Sequence, residues 1–295
     1  MPIGGTSRRR PDFSISIEPE NPENRSLLTR IFLGRDRYNY HNWHYRDPNL
    51  TQTISKFIED AAFTLVYKGT EHYEIVRDTW PTANSEKNDS TIQDTSETTE
   101  VVLSPQRIPG RIIRLPGFYL QLIPRSEWKN IGKKIIAIPA HDVWTLQIPQ
   151  RLGGARGHEK LLRTLVLASN PLPRFVLDDM AQFSDTSYFS HNEFHTNQQL
   201  AVARETAIWG WPSRDIWMEN TLEYFRIYRH LRFAFSMAVL REYILDSMNK
   251  LLERINFSSR ISLKGLPSPK EIEEHLEKLE EGQVTFDDAL KAIEI

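Results

Sequence analysis

The sequence has no cysteine. Disulfides, thiolate nucleophiles, iron–sulfur clusters and cysteine-ligated zinc are therefore excluded. No run of residues is apolar enough to span a bilayer, and the opening MPIGGTSRRRPDF lacks the apolar core of a secretory signal. The expectation is synthesis in the cytoplasm and no membrane contact. A dominant charge is missing as well. Net charge is −2, so no global field draws the chain onto nucleic acid, and any such contact must come from a local patch. What is present is 295 residues, 39% hydrophobic and 26% charged. That is enough for one large or two ordinary domains with a sizeable core.

The longest uninterrupted pattern runs over 219–255. It contains no glycine and no proline, which predicts one helix about 50 Å long. Its apolar face moves along its length. Tyr224, Tyr228, Leu231, Phe235 and Ala238 line one side of the first half, while Met237, Leu240, Ile244, Met248 and Leu251 line nearly the opposite side of the second. Such a helix meets different partners at its two ends or is buried all round at its middle. With Arg226, Arg229, His230 and Arg232 interleaved, the first half is expected to stay open in the protomer as a polar-rimmed interface or channel wall. Helices at 268–281 and 285–293 are expected to cover the second half. Ser268 and Glu271 spell a capping box for the first of them.

Residues 1–24 read as a flexible arm with a short basic cluster at Arg8, Arg9 and Arg10. A short helix and an aromatic connector follow. A helix is predicted over 50–67 with Thr51 as its cap, and Gly69 hands it to a strand starting at Glu71. The stretch 81–100 is polar and of low complexity, and predicts a mobile loop that proteases cut first. Between 101 and 148 the segments VVLS, RIIRL, FYLQLI, KKIIAI and VWTLQI predict five short strands. The fold class expected is α+β: a small antiparallel or mixed sheet flanked by helices, with a long helix and a helical C-terminal end. The expected division is an arm at 1–24, a body domain at 25–170 and a helical region at 171–295.

Chemical motifs are sparse. His41 and His44 are three apart, and His191 and His195 are four apart, spacings at which two helical histidines share a metal. The Glu in HNEFH sits at the wrong offset for the zinc hydrolase motif. Asp178–Asp179 and Asp287–Asp288 are adjacent acid pairs. His141 and Asp142 would point to opposite faces if both were on a strand. Gly153, Gly154 and Gly157 precede a helix, yet neither the P-loop nor the dinucleotide spacing is met, and the plain reading is a strand-to-helix turn. Trp209 and Trp211 flank Gly210 and predict an aromatic corner.

Three stretches together resemble phage portal proteins. FTLVYKGTEHYEIVRD, with Leu65, Gly69 and Ile75 at the matching positions, is similar to the entry into that family's body domain. KKIIAIPAHDVWTLQIPQRLGGARGHEKLLRTL resembles its strand corner through Ile138, Pro139, Asp142, Val143, Pro149 and Gly154, with Trp144 and Leu146 where a histidine is usual. The long helix followed by EIEEHLEKLEEGQVTFDDALKAIE is similar to its terminal helices. The resemblance implies a non-catalytic, cofactor-free subunit of a homo-oligomeric ring in the virion, a dodecamer. Double-stranded DNA would pass through it in packaging and ejection, and terminase, capsid and tail-connector proteins would dock on it. It places Tyr224, Arg226, Tyr228, Arg229, Leu231, Arg232 and Phe235 at a subunit interface or channel wall. Two other readings stay open. One is a metal-dependent hydrolase or nuclease using His191, His195, His41 and an Asp pair. The other is a non-portal structural or regulatory protein of a mobile element, with its helices used for dimerisation.

Overall fold

Alternation makes the first strand. In β1 (Ser14–Glu18) Ile15 and Ile17 turn inward and are buried, while the flanking serine and glutamate positions face outward. The expected arm therefore gives way to structure at Ser14. The computed structural model describes residues 14–33, 49–81, 99–169, 199–211 and 223–291. The architecture is α+β. The chain divides into two units: 13–146 with 244–264, and 1–12 with 147–243 and 265–295. This division is discontinuous, unlike the sequential one expected from the sequence.

In the first of these units, β1 pairs antiparallel with β8 (Arg260–Lys264), with Ile17 opposite Ile261. Asn21 caps α1 (Pro22–Phe32) by accepting from the Glu23 amide. Asn49, rather than Thr51, caps α2 (Leu50–Lys68) by accepting from the Gln52 amide. Gly69 ends that helix at φ 78°, a left-handed value that favours glycine. From there β2 (Thr70–Pro81) and β3 (Thr99–Arg107) form a long antiparallel pair, joined on the other side of β2 by β7 (Val143–Gln147). The expected loop is thus shorter than 81–100, because Pro81 and Thr99 are already paired. Residues 82–98 lie outside the described residues.

A third sheet has the order β4 (Arg111–Leu115), β5 (Phe118–Leu122), β6 (Ile135–Pro139), all antiparallel. A short helix, α3 (Trp128–Ile131), sits in the β5–β6 connection. Register assigns the two faces. Ile112, Tyr119, Ile136 and Ile138 share one face and pack with Ile108 and Val143 as a core. The opposite face carries Ile113 and Leu115 of β4, Phe118, Leu120 and Leu122 of β5, and Ile135, Ala137 and Pro139 of β6. All of these are apolar, and none is buried.

In the other unit a tight turn leads from Pro149 through Gly153 into α4 (Gly154–Ser169). A helix at 199–205, α5, follows, and Trp209 and Gly210 form the corner after it. Trp209 is buried edge-on to His158, with ring centroids 6.3 Å apart, and stacks beside Trp211. A Cβ on Gly210 would lie 2.3 Å from the Phe233 amide nitrogen, so only glycine lets this corner rest on the backbone of the long helix.

That helix, α6 (Glu223–Arg254), is buried nearly all round at its middle, with Phe235, Ser236, Ala238, Val239 and Leu240 all inside. The chain then turns back. Arg241 donates to the Pro267 carbonyl at 2.7 Å, and Tyr224 meets Phe286 at a centroid distance of 6.4 Å. So α7 (Pro269–Glu280) and α8 (Phe286–Lys291) run antiparallel to the first half of α6 rather than covering the second. The second half is served by strands instead. Asn249 exchanges two hydrogen bonds with the Ile261 backbone, and Arg254 donates to the Val143 carbonyl. The capping box of α7 is formed as its sequence spells it.

Candidate interaction surfaces

The residues expected to form an open strip on α6 separate into two groups. Leu231 and Phe235 are buried, because the returning helices and the 207–210 corner fold over this part of α6. Arg229 is buried too. Its guanidinium lies over the Phe225 ring at 5.2 Å and donates to the Ala203 carbonyl of α5, and burial pulls its pKa down from the usual arginine value. Arg232 is half-buried over the Phe235 ring. Only the start of the helix is open. Tyr224, Phe225 and Arg226 are exposed, and Tyr228 is half-buried. Burial and the neighbouring Glu280 carboxylate, which accepts its hydrogen bond, push the Tyr228 hydroxyl up. Arg226 pairs with Glu223 at 3.6 Å. The result is an aromatic patch of Tyr224, Phe225 and Phe286 beside a run, 268–291, that holds eight carboxylates against three lysines.

The outer face of β4–β5–β6 is the larger opening. Ile135 is 54% exposed, and Ile113 and Phe118 are 38% exposed. Antiparallel sheets with one wet face normally place polar residues there. Here the only charged residue in the three cross-strand rows of that face is Arg111, beside Leu122 and Ile135. The connection from β5 to β6 is basic. Arg125 and Lys134 lie over Trp128 at 5.9 and 4.9 Å, and Lys129 and Lys133 are exposed nearby in sequence. Between 111 and 134 these five and Arg114 face a single acid, Glu127. Among the described residues Arg111, Lys129 and Lys133 form no ion pair.

A third feature is a groove of about 260 Å³ between α2 and the β2–β3 pair, lined by Lys56, Phe57, Phe63, Tyr73, Gln106 and Arg107. Glu71 opens into it from β2. Its Oε1 pairs with Arg107 Nε at 2.7 Å, and Arg107 also donates to Thr64 of α2. Glu71 is 4% exposed, and its Oε2 has no hydrogen-bond partner. Burial raises its pKa; Arg107 and the Tyr73 hydroxyl pull it back. Desolvation also pushes Tyr73 well above its ordinary value. The cluster is a polar clamp holding the hairpin to α2. Beside it Phe63 and Tyr67 stack in parallel on the outer face of α2, 75% and 70% exposed.

The candidate chemical residues give less. His41, His44, His191, His195, Asp178 and Asp179 lie outside the described residues. Among the described residues no group of three His, Asp or Glu is placed to hold a metal. Thr285 caps α8 by accepting from the Asp288 amide, and the Asp288 carboxylate accepts from Thr285 and Lys291, bonds that hold it below the usual range. His141 and Asp142 do approach, at 3.5 Å, because they sit on a 3-10 turn rather than on a strand; His141 is exposed and Asp142 half-buried. The amides of Gly153, Gly154 and Gly157 all donate to backbone carbonyls of their own turn, so they are not aimed at an anion. No helix among the described residues is long and apolar enough to cross a membrane. No protein-family model, curated protein sequence or solved structure matches the chain.

Proposed function

We propose that the chain is a structural subunit of a portal-like ring through which double-stranded DNA passes during packaging and ejection. The observation that carries this reading is the uncovered apolar face of β4–β5–β6. A face of Ile, Leu and Phe left in water is a standing cost of roughly 25 cal/mol per Å², which association with another chain removes. The order of elements supports the finer identity. Helix α2, Gly69 and β2 follow one another as in the portal resemblance, as do β6, the Ile138–Pro139 corner, β7, Pro149, Gly154 and α4. Terminase, capsid and tail-connector proteins are the partners this reading implies.

The test is mass and shape. The purified full chain, examined by light scattering and electron microscopy, should give one discrete multiple of its 34.5 kDa protomer. Twelve protomers are what the resemblance implies, closed around a hole wide enough for a DNA duplex. A protein that stays monomeric at every accessible concentration would remove the proposal.

A further inference from the structure

We infer that the open sheet face of one copy receives the acidic, aromatic start of α6 and α8 of another copy, head to tail. This rests on the ring reading above and names the surfaces that would close the ring. A head-to-tail contact uses two different patches on each subunit, which is the geometry that builds rings. The two patches described above match in kind and oppose in charge. The sheet offers Ile113, Phe118 and Ile135, with Arg111 in the same face, Lys129 and Lys133 exposed in the β5–β6 connection, and no acidic partner for those cations among the described residues. The helical patch offers Tyr224, Phe225 and Phe286 beside Glu280 and Asp287.

The alternative of sheet against sheet brings like charges together, which costs energy at an interface. Size points the same way. A three-stranded face of five-residue strands measures roughly 14 by 17 Å from strand spacing and rise. That is about a third of what each partner contributes to a stable interface of standard size. The basic rim must therefore join the contact, and it does so favourably only against carboxylates.

The experiment uses two full-length variants. Ile113→Asp/Ile135→Asp spoils the sheet face, and Phe225→Asp/Phe286→Asp spoils the helical patch. All four side chains are exposed, so both variants should keep the wild-type circular dichroism and Tm. Each alone should fall from the assembled mass to the protomer mass. Mixed, they should form a dimer and nothing larger, because each retains one intact half of the contact. Ile113→Lys/Ile135→Lys and Phe225→Ser/Phe286→Ser serve as replacements if either Asp variant misfolds.

Other outcomes overturn the inference. If the helical-patch variant still assembles, the helical patch is not the occupant of the sheet face. If wild type forms a ring and neither variant disturbs it, the inference fails while the ring reading stands. If wild type is monomeric, both fail. A short DNA duplex is added in parallel. If Arg111→Glu/Lys133→Glu loses duplex binding but keeps the assembled mass, the basic face belongs to nucleic acid and not to a second copy.

Discussion

Glu71 shows how a single side chain can tie stability to pH. Its carboxyl is buried against Tyr73, its pKa is raised by desolvation, and Arg107 compensates only in part. A folded-state pKa above the unfolded value means that the folded chain holds this proton more tightly. The associated stability is complete below the ordinary Glu range and is lost as pH rises through the raised pKa. Glu71→Gln cannot titrate. The urea midpoint of wild type minus that of the variant should therefore fall as pH rises from about 4 toward neutrality. The lowered carboxyls at Glu271 and Asp288 act in the opposite sense but are common to both proteins and cancel in the difference. Parallel midpoint curves across that range would show that Glu71 does not titrate differently in the two states. None of this is visible in sequence. Glu71 and Arg107 meet only because β2 and β3 pair in register, Tyr73 opposite Arg107.

At the scale of elements, α6 decides between two kinds of damage. Leu231 and Phe235 are inside the protomer, so charging them should unfold the chain instead of releasing subunits. Leu231→Asp/Phe235→Asp is expected to cost about 4 kcal/mol or more, the penalty of burying unpaired charge in a packed core. Circular dichroism should show helix lost before any soluble, folded protomer appears in light scattering; a folded monomer would place these two side chains at an interface after all. The helix itself was legible, since 32 residues of its predicted span form it and nothing interrupts them. Strands β3 to β7 were legible too, because β-branched and aromatic runs stand between proline and glycine turns. Strands β1 and β8 were not. Each is five residues long, mixed in polarity, and stabilised by a partner far away in the chain, as when the Ser16 hydroxyl meets that of Ser262 at 2.7 Å. The open sheet face could not be read either. Alternating residues that are all apolar look the same whether both faces are covered or only one. The side that α7 covers follows from the reversal after Arg254, which leaves no trace in periodicity.

For the whole molecule, near-neutrality hides polarity. Within a chain of net charge −2, a basic stretch at 111–134 and an acidic one at 268–291 cancel each other. If these meet between copies, assembly should respond to the kind of salt and not only to its amount. Sodium chloride from low to roughly 0.5 M should weaken association several-fold, because the screening length falls below about 10 Å. Ammonium sulfate at equal ionic strength should weaken it less or reverse the trend, since it strengthens apolar burial. Sedimentation at matched protein concentration separates the two, and an assembly indifferent to both salts would leave no role for the charged rim. The pairing of β1 with β8 has a consequence in time. The strand at Ser14 is made before its partner, and Arg260–Lys264 follows some 240 residues later. At ribosomal speeds of about 5–20 residues per second, Ile15 and Ile17 wait on the order of ten seconds or longer for their partner. Ile244 to Lys264, which complete the same unit, arrive just as late. A half-made chain therefore cannot present a finished unit to its neighbours, and subunits become competent to join only after nearly the whole described chain has been made.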